Sequence, residues 1–214
     1  MRGLRRGGKP TPSSRPGLIV GISGASGAIY GLRLLETLRR LGIKSHLVMS
    51  KAAEMTISYE IDMAPADVKG LADEVYAIGD LGAPISSGSF PTLGMIVAPC
   101  SVRSLAEIAT GVTSSLLTRA ADVTLKERRR LVLMLRETPL HSGHLRNMLA
   151  LSDMGAVIAP PVPAFYTRPK DLDDMVDHSI GRVLDLFGID SGRVRRWGSS
   201  ATPKGKRRRG SPAR

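Results

Sequence analysis

The chain has 214 residues, enough for one domain with a sizeable core, and its 42% hydrophobic content is ordinary for a globular protein. The net charge of +12 suggests nucleic-acid binding, but the two ends, 1–16 and 191–214, hold 14 basic residues and no acidic one, whereas residues 17–190 hold 17 basic and 19 acidic residues. No apolar run approaches the 18 or so residues of a membrane span, and the single Cys100 excludes an internal disulfide.

The two basic ends are predicted to lie outside the folded domain as largely disordered tails. Both are rich in Gly, Pro, Ser and Arg, a composition that cannot bury a core. Weak binding of RNA or of an anionic surface is the alternative function for them. The N-terminal end lacks acids, as a mitochondrial transit peptide does, but its Pro and Gly disfavour an amphipathic helix, and no secretory signal is present. The lone cysteine indicates a reducing, cytoplasmic location.

Between these ends, short apolar segments alternate with longer amphipathic segments. The apolar segments predict strands at 17–22, 44–49, 75–78, 94–98, 130–135 and 156–159. The amphipathic segments predict helices at 27–41, 51–60, 101–110, 113–121, 141–151 and 171–187. Nearly continuous apolar strands separated by helices indicate a parallel sheet that is covered on both faces. We therefore predict a single α/β domain over 17–190 with a doubly wound parallel sheet, Rossmann- or flavodoxin-like, which binds ligands beyond the carboxyl ends of its strands.

The loop after the first strand, in the segment GISGASG, has the composition of a phosphate-binding loop. Its glycines let the backbone approach a phosphate, the next helix offers free N–H groups, and its serines add donors. A tight turn with Ser26 as the helix N-cap is the alternative. Ser50 follows the second strand, where a dinucleotide enzyme normally carries Asp or Glu for the ribose hydroxyl. The pattern therefore disfavours NAD and favours a mononucleotide such as FMN.

Further candidates follow the later strands. The stretch 83–90 is a second Ser/Gly loop. Ser101 begins a predicted helix directly after a strand, so a simple N-cap role is an alternative to ligand binding. Cys100 is expected to be a small buried thiol rather than a nucleophile, because no His lies near it in the sequence. His141 and His144 lack a Cys or carboxylate at metal-ligand spacing, so we expect them to cap or pack.

Cations and one carboxylate gather in the second half of the domain. Arg119 and Lys126 are seven residues apart, so they share a face if their helix continues past residue 121. The run 128–130 is expected to be solvated. Arg136 and Glu137 stand at the carboxyl end of a strand, where a carboxylate among cations can donate or accept a proton; a structural ion pair is the alternative. With the first loop, these residues predict a site for FMN and a second phosphate.

Taken together, these segments resemble the flavin prenyltransferases, the UbiX-like family. The resemblance runs from about Gly17 to Asp190, in the family's order. It rests on GISGASGAIYGLRLLETL, SKAAE, SSGSF, APCS with SLAEIATG, LLTRAADVTLKERRRLVL, RETPL, HLRNMLALSDMGAVIAPPVPAFY and GRVLDLFGI. It implies a flavodoxin-like fold and a metal-free reaction in which dimethylallyl monophosphate is joined to reduced FMN, first at N5 and then at C6. It also implies homo-dodecamers with sites at subunit interfaces, and a UbiD-like decarboxylase that receives the prenylated FMN.

The resemblance also implies a set of site residues by motif position. The implied FMN contacts are Gly24, Ala25, Ser26, Ser50, Ser101, Val102, Arg103, Ser104 and Arg136. The implied contacts of the prenyl phosphate are Ser87, Arg119, Lys126, Glu137, Tyr166 and Arg182. Three residues are expected to be catalytic. Glu137 delivers a proton to the leaving phosphate, Ser26 helps to move the proton that the flavin loses, and Glu60 resembles a family glutamate near the flavin that is involved in the later cyclisation.

Two positions depart from the family pattern, and one other enzyme class remains as an alternative. Leu81 stands where some relatives carry a tryptophan that walls the prenyl pocket, which leaves the prenyl chain length open, and Leu135 replaces a frequent proline. The alternative is an FMN-dependent decarboxylase of the related cysteine-decarboxylating flavoproteins, which use a catalytic His near the flavin. The cations Arg119, Lys126 and Arg182 favour a phosphate substrate instead.

Overall fold

Within residues 16–198, the part of the chain that this computed structural model describes, six parallel strands form one sheet. They are β1 (Gly17–Ile22), β2 (Ser45–Met49), β3 (Glu74–Tyr76), β4 (Thr92–Cys100), β5 (Arg130–Leu135) and β6 (Val157–Ile158). Their order across the sheet is β3-β2-β1-β4-β5-β6, the order of the Rossmann fold. The predicted doubly wound α/β class is therefore confirmed, and the direction of chain progression reverses between β1 and β4.

Seven helices and two short 3-10 turns connect and follow the described strands. The helices are α1 (Ala28–Arg40), α2 (Lys51–Glu60), α3 (Pro65–Lys69), α4 (Val102–Ala109), α5 (Leu116–Lys126), α6 (Ser142–Asp153) and α7 (Leu172–Asp185); the turns are Pro84–Ser86 and Phe165–Thr167. None of the described helices is long and apolar enough to cross a membrane. The chain divides into two units between Pro161 and Val162, so the first unit holds the sheet with α1 to α6 and the second holds α7.

The core of the first unit lies on both faces of the central strands. Every residue of β1 and β2 is buried, as are the last seven residues of β4, which accounts for the apolar sequences of β1, of the end of β2 and of β4. The buried polar residues at the start of β2 have partners: Ser45 bonds to Asp73, and His46 lies 3.0 Å from the Tyr76 hydroxyl. In α1, Leu32, Leu35 and Leu38 recur at helical spacing and are at most 5% exposed. Burial of each such leucine contributes roughly 1.5–3 kcal/mol, so this one helix face anchors α1 firmly on the sheet.

One predicted helix was too short, and one helix was missed. The structure extends the segment predicted at 113–121 to α5, which begins at an N-cap, Ser115, and ends at Lys126, just before Arg128 adopts a left-handed φ of 56°. Arg119 and Lys126 therefore lie on one continuous helix. Helix α3, which the sequence did not predict, begins at Pro65, and its turn is closed by Asp67, whose carboxylate accepts the Ala64 N–H at 3.2 Å.

The second unit, as far as it is described, contains α7 and the residues that flank it. Asp171 caps α7 by accepting the Asp174 N–H at 2.8 Å. The sequence predicted a largely disordered tail from residue 191, but Ser191 and Val194 pack on Gly181 of α7, and Arg193 and Arg196 pair with Asp177 and Asp185 of the same helix. Ser191 is only 2% exposed. The remaining parts of the predicted tails, 1–15 and 199–214, lie outside the described residues. The single domain over 17–190 stays a prediction.

Candidate functional site

The loops that follow β1 and β4 are joined by Ser23 at the point where the chain progression reverses. The Ser23 hydroxyl donates to the carbonyl oxygen of Pro99 at 2.8 Å and accepts the N–H of Ser101 at 2.7 Å. Ser23 is 1% exposed, so water does not compete with these bonds. Ligands of open α/β sheets bind in this crevice. Ser23 thus fixes the two candidate binding loops against each other, a role that the sequence analysis did not assign.

Gly24 brings the first loop into direct contact with α2. A Cβ at Gly24 would lie 2.4 Å from the Cβ of Ala52, which is far inside van der Waals contact. Gly27 ends the loop with a φ of +97° and is the N-cap of α1, without a side-chain capping bond. The alternative interpretation of Ser26 as the N-cap is therefore wrong; the Ser26 side chain is exposed, and its hydroxyl bonds to Glu60 instead.

We expect Gly24→Ala to weaken FMN binding about tenfold, because an overpacked loop must shift at a cost of about 1–3 kcal/mol. Titration of FMN fluorescence would measure the affinity. Gly79→Ala is the matched control, since a Cβ at Gly79 meets no atom within 4 Å. An unchanged FMN affinity in Gly24→Ala would contradict the placement of the flavin on this loop.

The Glu60 carboxylate occupies the N-terminus of α1. Its Oε2 accepts the N–H groups of Gly27 at 2.7 Å and Ala28 at 3.0 Å. Partial burial raises the pKa of Glu60, but hydrogen bonds from Ser26, Gly27 and Ala28 outweigh it, and the charge of Arg136 adds to them, so the pKa lies below its usual value. The sequence predicts free N–H groups here for a phosphate, whereas two of them are bound to Glu60.

We expect Glu60→Gln to lower the stability by about 0.5 kcal/mol at pH 7, the lower end for a helix cap because the carboxylate is solvent-screened. A carboxylate with a lowered folded-state pKa stabilises the fold above its unfolded pKa of about 4.3 and loses that contribution as pH falls. The gap of about 1–2 °C in Tm between wild type and variant should therefore close below pH 4. Asp62→Asn, at an exposed neighbour, is the control. A gap that persists at pH 3 would contradict the role of the charge.

Ser50 and Ser101 both cap helices, and the two hydroxyls differ in what they leave free. Ser50 Oγ accepts the Ala53 N–H at 3.1 Å, so its own proton remains available for a ligand. Ser101 Oγ accepts the Ser104 N–H at 3.2 Å and donates to Ser104 Oγ, also at 3.2 Å. The N-cap role that the sequence left open for Ser101 is thus observed, and Ser104 carries the proton that a ligand can receive.

The cations predicted for the flavin differ in their availability. Arg103 makes an ion pair with Glu107 at 2.8 Å, and its side chain is 84% exposed. Arg136 is exposed, and its N–H donates to the Cys100 carbonyl at 3.1 Å, which places it at the end of β4. Among the described residues no hydrogen bond or ion pair involves the Arg136 side chain. Arg136 is therefore the better-placed partner for an anionic flavin group.

Cys100 and Val102 are structural neighbours of these residues. The Cys100 thiol is fully buried, and burial raises its pKa to about 12, so it is protonated and unreactive at neutral pH. This agrees with the expected buried thiol. Val102 is partly buried and packs against the hydrophobic core, and its contact with the flavin stays a prediction.

Arg129 ties the second Ser/Gly loop to the end of α5. Its guanidinium donates to the carbonyl oxygens of Gly88 at 2.6 Å and Phe90 at 2.7 Å. The expectation that residues 128–130 form a solvated run is therefore wrong for Arg129. Lys126 lies beside the same loop, because a Cβ at Gly88 would be 2.7 Å from Lys126 Nζ. The structure thus brings Lys126 to the loop that carries Ser87.

The remaining first-unit candidates have local partners. Ser87 Oγ lies 2.9 Å from Ser89 Oγ. Arg119 makes an ion pair with Asp122 at 2.9 Å, and Lys126 makes one with Glu127. Glu137 follows β5, and its Oε1 accepts the Thr138 N–H at 3.0 Å; no ion pair between Glu137 and Arg136 is present among the described contacts. Each charged group is half-buried or exposed, so an incoming phosphate can compete for it.

Tyr166 and Arg182 lie in the second unit. The Tyr166 ring packs edge-to-face against His178, with centroids 5.8 Å apart, and Arg182 makes an ion pair with Asp185 at 2.7 Å. Their participation in the phosphate site stays a prediction. The second unit also contains a cavity of about 340 Å³, and none of the predicted site residues is among its described lining residues.

His141 has a structural role. Its Nδ1 accepts the N–H groups of Gly143 at 3.0 Å and His144 at 3.4 Å, so it caps α6, and the two His rings stack with centroids 3.6 Å apart. This is the capping and packing role that the sequence predicted. Within the described residues no group of three or more His, Cys, Asp and Glu side chains is arranged to hold a metal ion.

Comparison with known proteins gives consistent matches along most of the chain. The Flavoprotein family model matches residues 8–184. A flavin prenyltransferase UbiX from Thauera aromatica is 57% identical over 180 residues, which are 84% of this chain and 93% of the relative. The crystal structure of AnUbiX in complex with FMN and dimethylallyl pyrophosphate is 53% identical, with a TM-score of 0.86 and coverage of 87% of this chain and 100% of that chain.

Two other solved structures bear on assembly and on the alternative function. A dodecameric FMN-dependent UbiX-like decarboxylase from Escherichia coli O157:H7 is 52% identical, with a TM-score of 0.83 and coverage of 84% of this chain and 98% of that chain. The peptidyl-cysteine decarboxylase EpiD is 15% identical, with a TM-score of 0.58 and coverage of 81% and 99%. The second likeness shows a shared fold alone, so the cysteine-decarboxylase alternative is the less supported one.

Proposed function

The chain belongs to the UbiX-like flavin prenyltransferases, and from that membership we propose that it joins the dimethylallyl group of dimethylallyl monophosphate to N5 and C6 of reduced FMN. The enzyme is a transferase that acts on FMN. The observation that carries the proposal is the 53% identical structure with FMN and dimethylallyl pyrophosphate, whose chain is matched in full. Two features of the loops support that pair of ligands: Gly24 lets the first loop pack directly on α2, and Lys126 lies at a second polar loop.

We propose that the flavin binds across the ends of β1, β2, β4 and β5. Reduced FMN supplies the nucleophilic N5 and C6 atoms. Ser50 and Ser104 have hydroxyl protons to donate to its polar groups, and Arg136 offers a cation that makes no described hydrogen bond or ion pair. These contacts orient the flavin and contribute binding free energy through charge-assisted hydrogen bonds.

The prenyl phosphate requires stabilisation of its leaving group. Breaking the allylic C–O bond develops negative charge on the departing phosphate, which Arg119, Lys126 and Arg182 neutralise. In this mechanism Tyr166 donates a hydrogen bond to the phosphate, and Glu137 delivers a proton to it. A monophosphate protonated and held in this way can leave without the metal ion that diphosphates employ.

Ser26 and Glu60 form a route for the proton that the flavin loses. Ser26 donates a hydrogen bond to Glu60, and the lowered pKa of Glu60 keeps its carboxylate ionised at neutral pH. An ionised carboxylate behind a hydroxyl is a base that accepts a proton through that hydroxyl. We assign to the same carboxylate the role of the family glutamate that assists the later bond formation at C6.

Anaerobic incubation with reduced FMN and dimethylallyl monophosphate, followed by mass spectrometry of the flavin, tests the proposal. We expect one added isoprene unit on FMN, and less product with dimethylallyl pyrophosphate. A flavin of unchanged mass would contradict prenyl transfer. Decarboxylation of a peptide ending in cysteine, in a parallel reaction, would support the alternative function instead.

We further propose that the protein is a cytoplasmic homo-oligomer, a dodecamer, that supplies prenylated FMN to a UbiD-like decarboxylase. The 52% identical dodecameric relative supports the assembly, and the free, buried Cys100 is consistent with a reducing compartment. Light scattering should give twelve times the 22.9 kDa of one chain. Activation of a UbiD-like apoenzyme by the flavin product, measured as CO2 release from an aromatic acid, tests the partner.

A further inference from the structure

The residues Ser191–Trp197, the C-terminal arm, are fixed against α7. A Cβ at Gly181 of α7 would lie 2.4 Å from Val194 Cγ2 and 2.7 Å from Ser191 Oγ, so the arm and the helix are in tight contact. Arg195 donates to the Thr167 carbonyl at 2.7 Å. The arm is therefore an ordered part of the second unit that packs on α7 and bonds to the Phe165–Thr167 turn.

Asp185 is shared between an arm residue and a predicted phosphate ligand. Arg196 binds it in a bidentate manner, with distances of 3.0 Å to Oδ2 and 2.9 Å to Oδ1. Arg182 donates to Oδ2 of the same carboxylate at 2.7 Å. The Asp185 side chain is only 15% exposed, whereas the Arg182 and Arg196 side chains are 53% and 52% exposed, so the carboxylate is shielded and the two cations remain open to solvent and to an incoming anion.

The charges of this cluster determine whether Arg182 can attract a phosphate. With Arg196 in place, the guanidinium groups of Arg182 and Arg196 share the one carboxylate of Asp185, so these three groups sum to +1; Asp190 also interacts electrostatically with Arg196 but has no contact with Arg182 among the described hydrogen bonds and ion pairs. The hydrogen bond from Arg196 is the main reason that the pKa of Asp185 is lowered, followed by Arg182 among the stabilising partners. Without Arg196, Asp185 and Arg182 would form a neutral pair, and Arg182 would have to leave Asp185, its ion-pair partner among the described residues, to bind an anion.

The arm also contacts the second predicted phosphate ligand of this unit. The Trp197 ring packs edge-to-face against Tyr166, with centroids 5.3 Å apart and an interplanar angle of 80°. His178 packs on the Tyr166 ring with centroids 5.8 Å apart and an angle of 86°. Such contacts restrict the ring and hence the direction of its hydroxyl.

We propose that the C-terminal arm is a positioning element of the prenyl phosphate site, in which Arg196 balances Asp185 so that Arg182 remains cationic, and Trp197 orients Tyr166. The inference rests on the proposed function and deepens it, because it assigns a role in substrate binding to residues that the sequence placed in a solvated tail. Arg196 acts through Asp185 and Arg182, and Trp197 acts through Tyr166, so both are positioning residues.

Arg196→Gln is the central test. We expect the KM for dimethylallyl monophosphate to rise about tenfold, with kcat, FMN affinity and Tm nearly unchanged. Arg193→Gln is the matched control from the same arm, because Arg193 pairs with Asp177 instead. An unchanged KM in Arg196→Gln would overturn the proposal.

A double variant separates charge balance from a merely structural role. In Arg196→Gln/Asp185→Asn the carboxylate that neutralises Arg182 is gone, so we expect the KM to return to within about threefold of wild type. A purely structural role predicts further loss instead, and a KM that stays high would overturn the role of the charge.

Truncation gives an independent measurement if a point variant folds poorly. A chain that ends after Gly198 keeps the arm and should retain wild-type kinetics, whereas a chain that ends after Asp190 should lose prenyl phosphate affinity and keep FMN binding. Equal kinetics in both would overturn the proposal. In every one of these experiments the wild-type protein must form prenylated flavin. If the wild type fails, the proposed function is contradicted; if the wild type and the variants are equally active, only the proposed role of the C-terminal arm is contradicted.

Discussion

Glu137→Gln is expected to bind reduced FMN as tightly as wild type and to lose roughly 10²–10⁴-fold of its turnover, the usual contribution of a general acid. Glu137 lies two residues beyond the end of β5, and the neighbouring Arg136 N–H bonds to Cys100 at the end of β4. The side chain is therefore held at the edge of the sheet where ligands bind. The amide keeps its size and hydrogen-bonding capacity but cannot deliver a proton to the leaving phosphate.

Single-turnover mass spectrometry of the flavin would measure this loss, with FMN affinity from fluorescence. Glu74→Gln is the matched control, because Glu74 begins β3 at the opposite, amino edge of the sheet. Full turnover in Glu137→Gln would remove this residue from the proton transfer.

Lys126→Met should lower kcat/KM for dimethylallyl monophosphate by about 10²–10³-fold, the effect of removing one stabilising group from a developing anion. Its Nζ lies next to Gly88 in the loop that carries Ser87, and Arg129 fixes that loop by two carbonyl contacts. Methionine preserves the apolar stem and the helix, so the loss reports the charge.

Steady-state anaerobic kinetics with both substrates would measure this effect. FMN affinity should change less than twofold, because the residues proposed for the flavin lie on other loops. Lys44→Met removes the same charge at the amino end of β2, where Lys44 pairs with Glu74 at 3.1 Å, and should behave as wild type. Equal losses in both variants would indicate a general effect of net charge and contradict a specific phosphate contact.

The elements that local sequence determines were predicted closely. Strands 17–22 and 130–135 and helix 51–60 have the predicted bounds, because runs of buried residues and a serine cap at Ser50 are local signals. The α/β class follows from the same alternation. The small residues after the first strand predicted a close backbone approach, which Gly24 makes to Ala52 of α2. Their contact with a flavin stays a prediction.

The order of the strands and the partners of charged residues were decided only by the tertiary structure. Glu60 binds the N-terminus of α1 at Gly27, 33 residues earlier in the chain. Ser23 bonds to Pro99 and Ser101, which lie 76 and 78 residues further along the chain. Arg129, which has the sequence context of a solvated run, bonds a loop about 40 residues away. Such partners are set by distance in space, which no periodicity records.

The C-terminal arm shows the same division between composition and packing. The sequence assigns Arg193, Arg195 and Arg196 to a basic tail, because amino-acid composition gives the charge of these residues but does not indicate which groups accept their hydrogen bonds. In the structure each finds a carboxylate or carbonyl on α7 or the preceding turn. The sequence by itself determined the α/β class, the loop chemistry and the family resemblance; the tertiary structure decided which charges meet, since an ion pair depends on the approach of two side chains and not on their spacing along the chain.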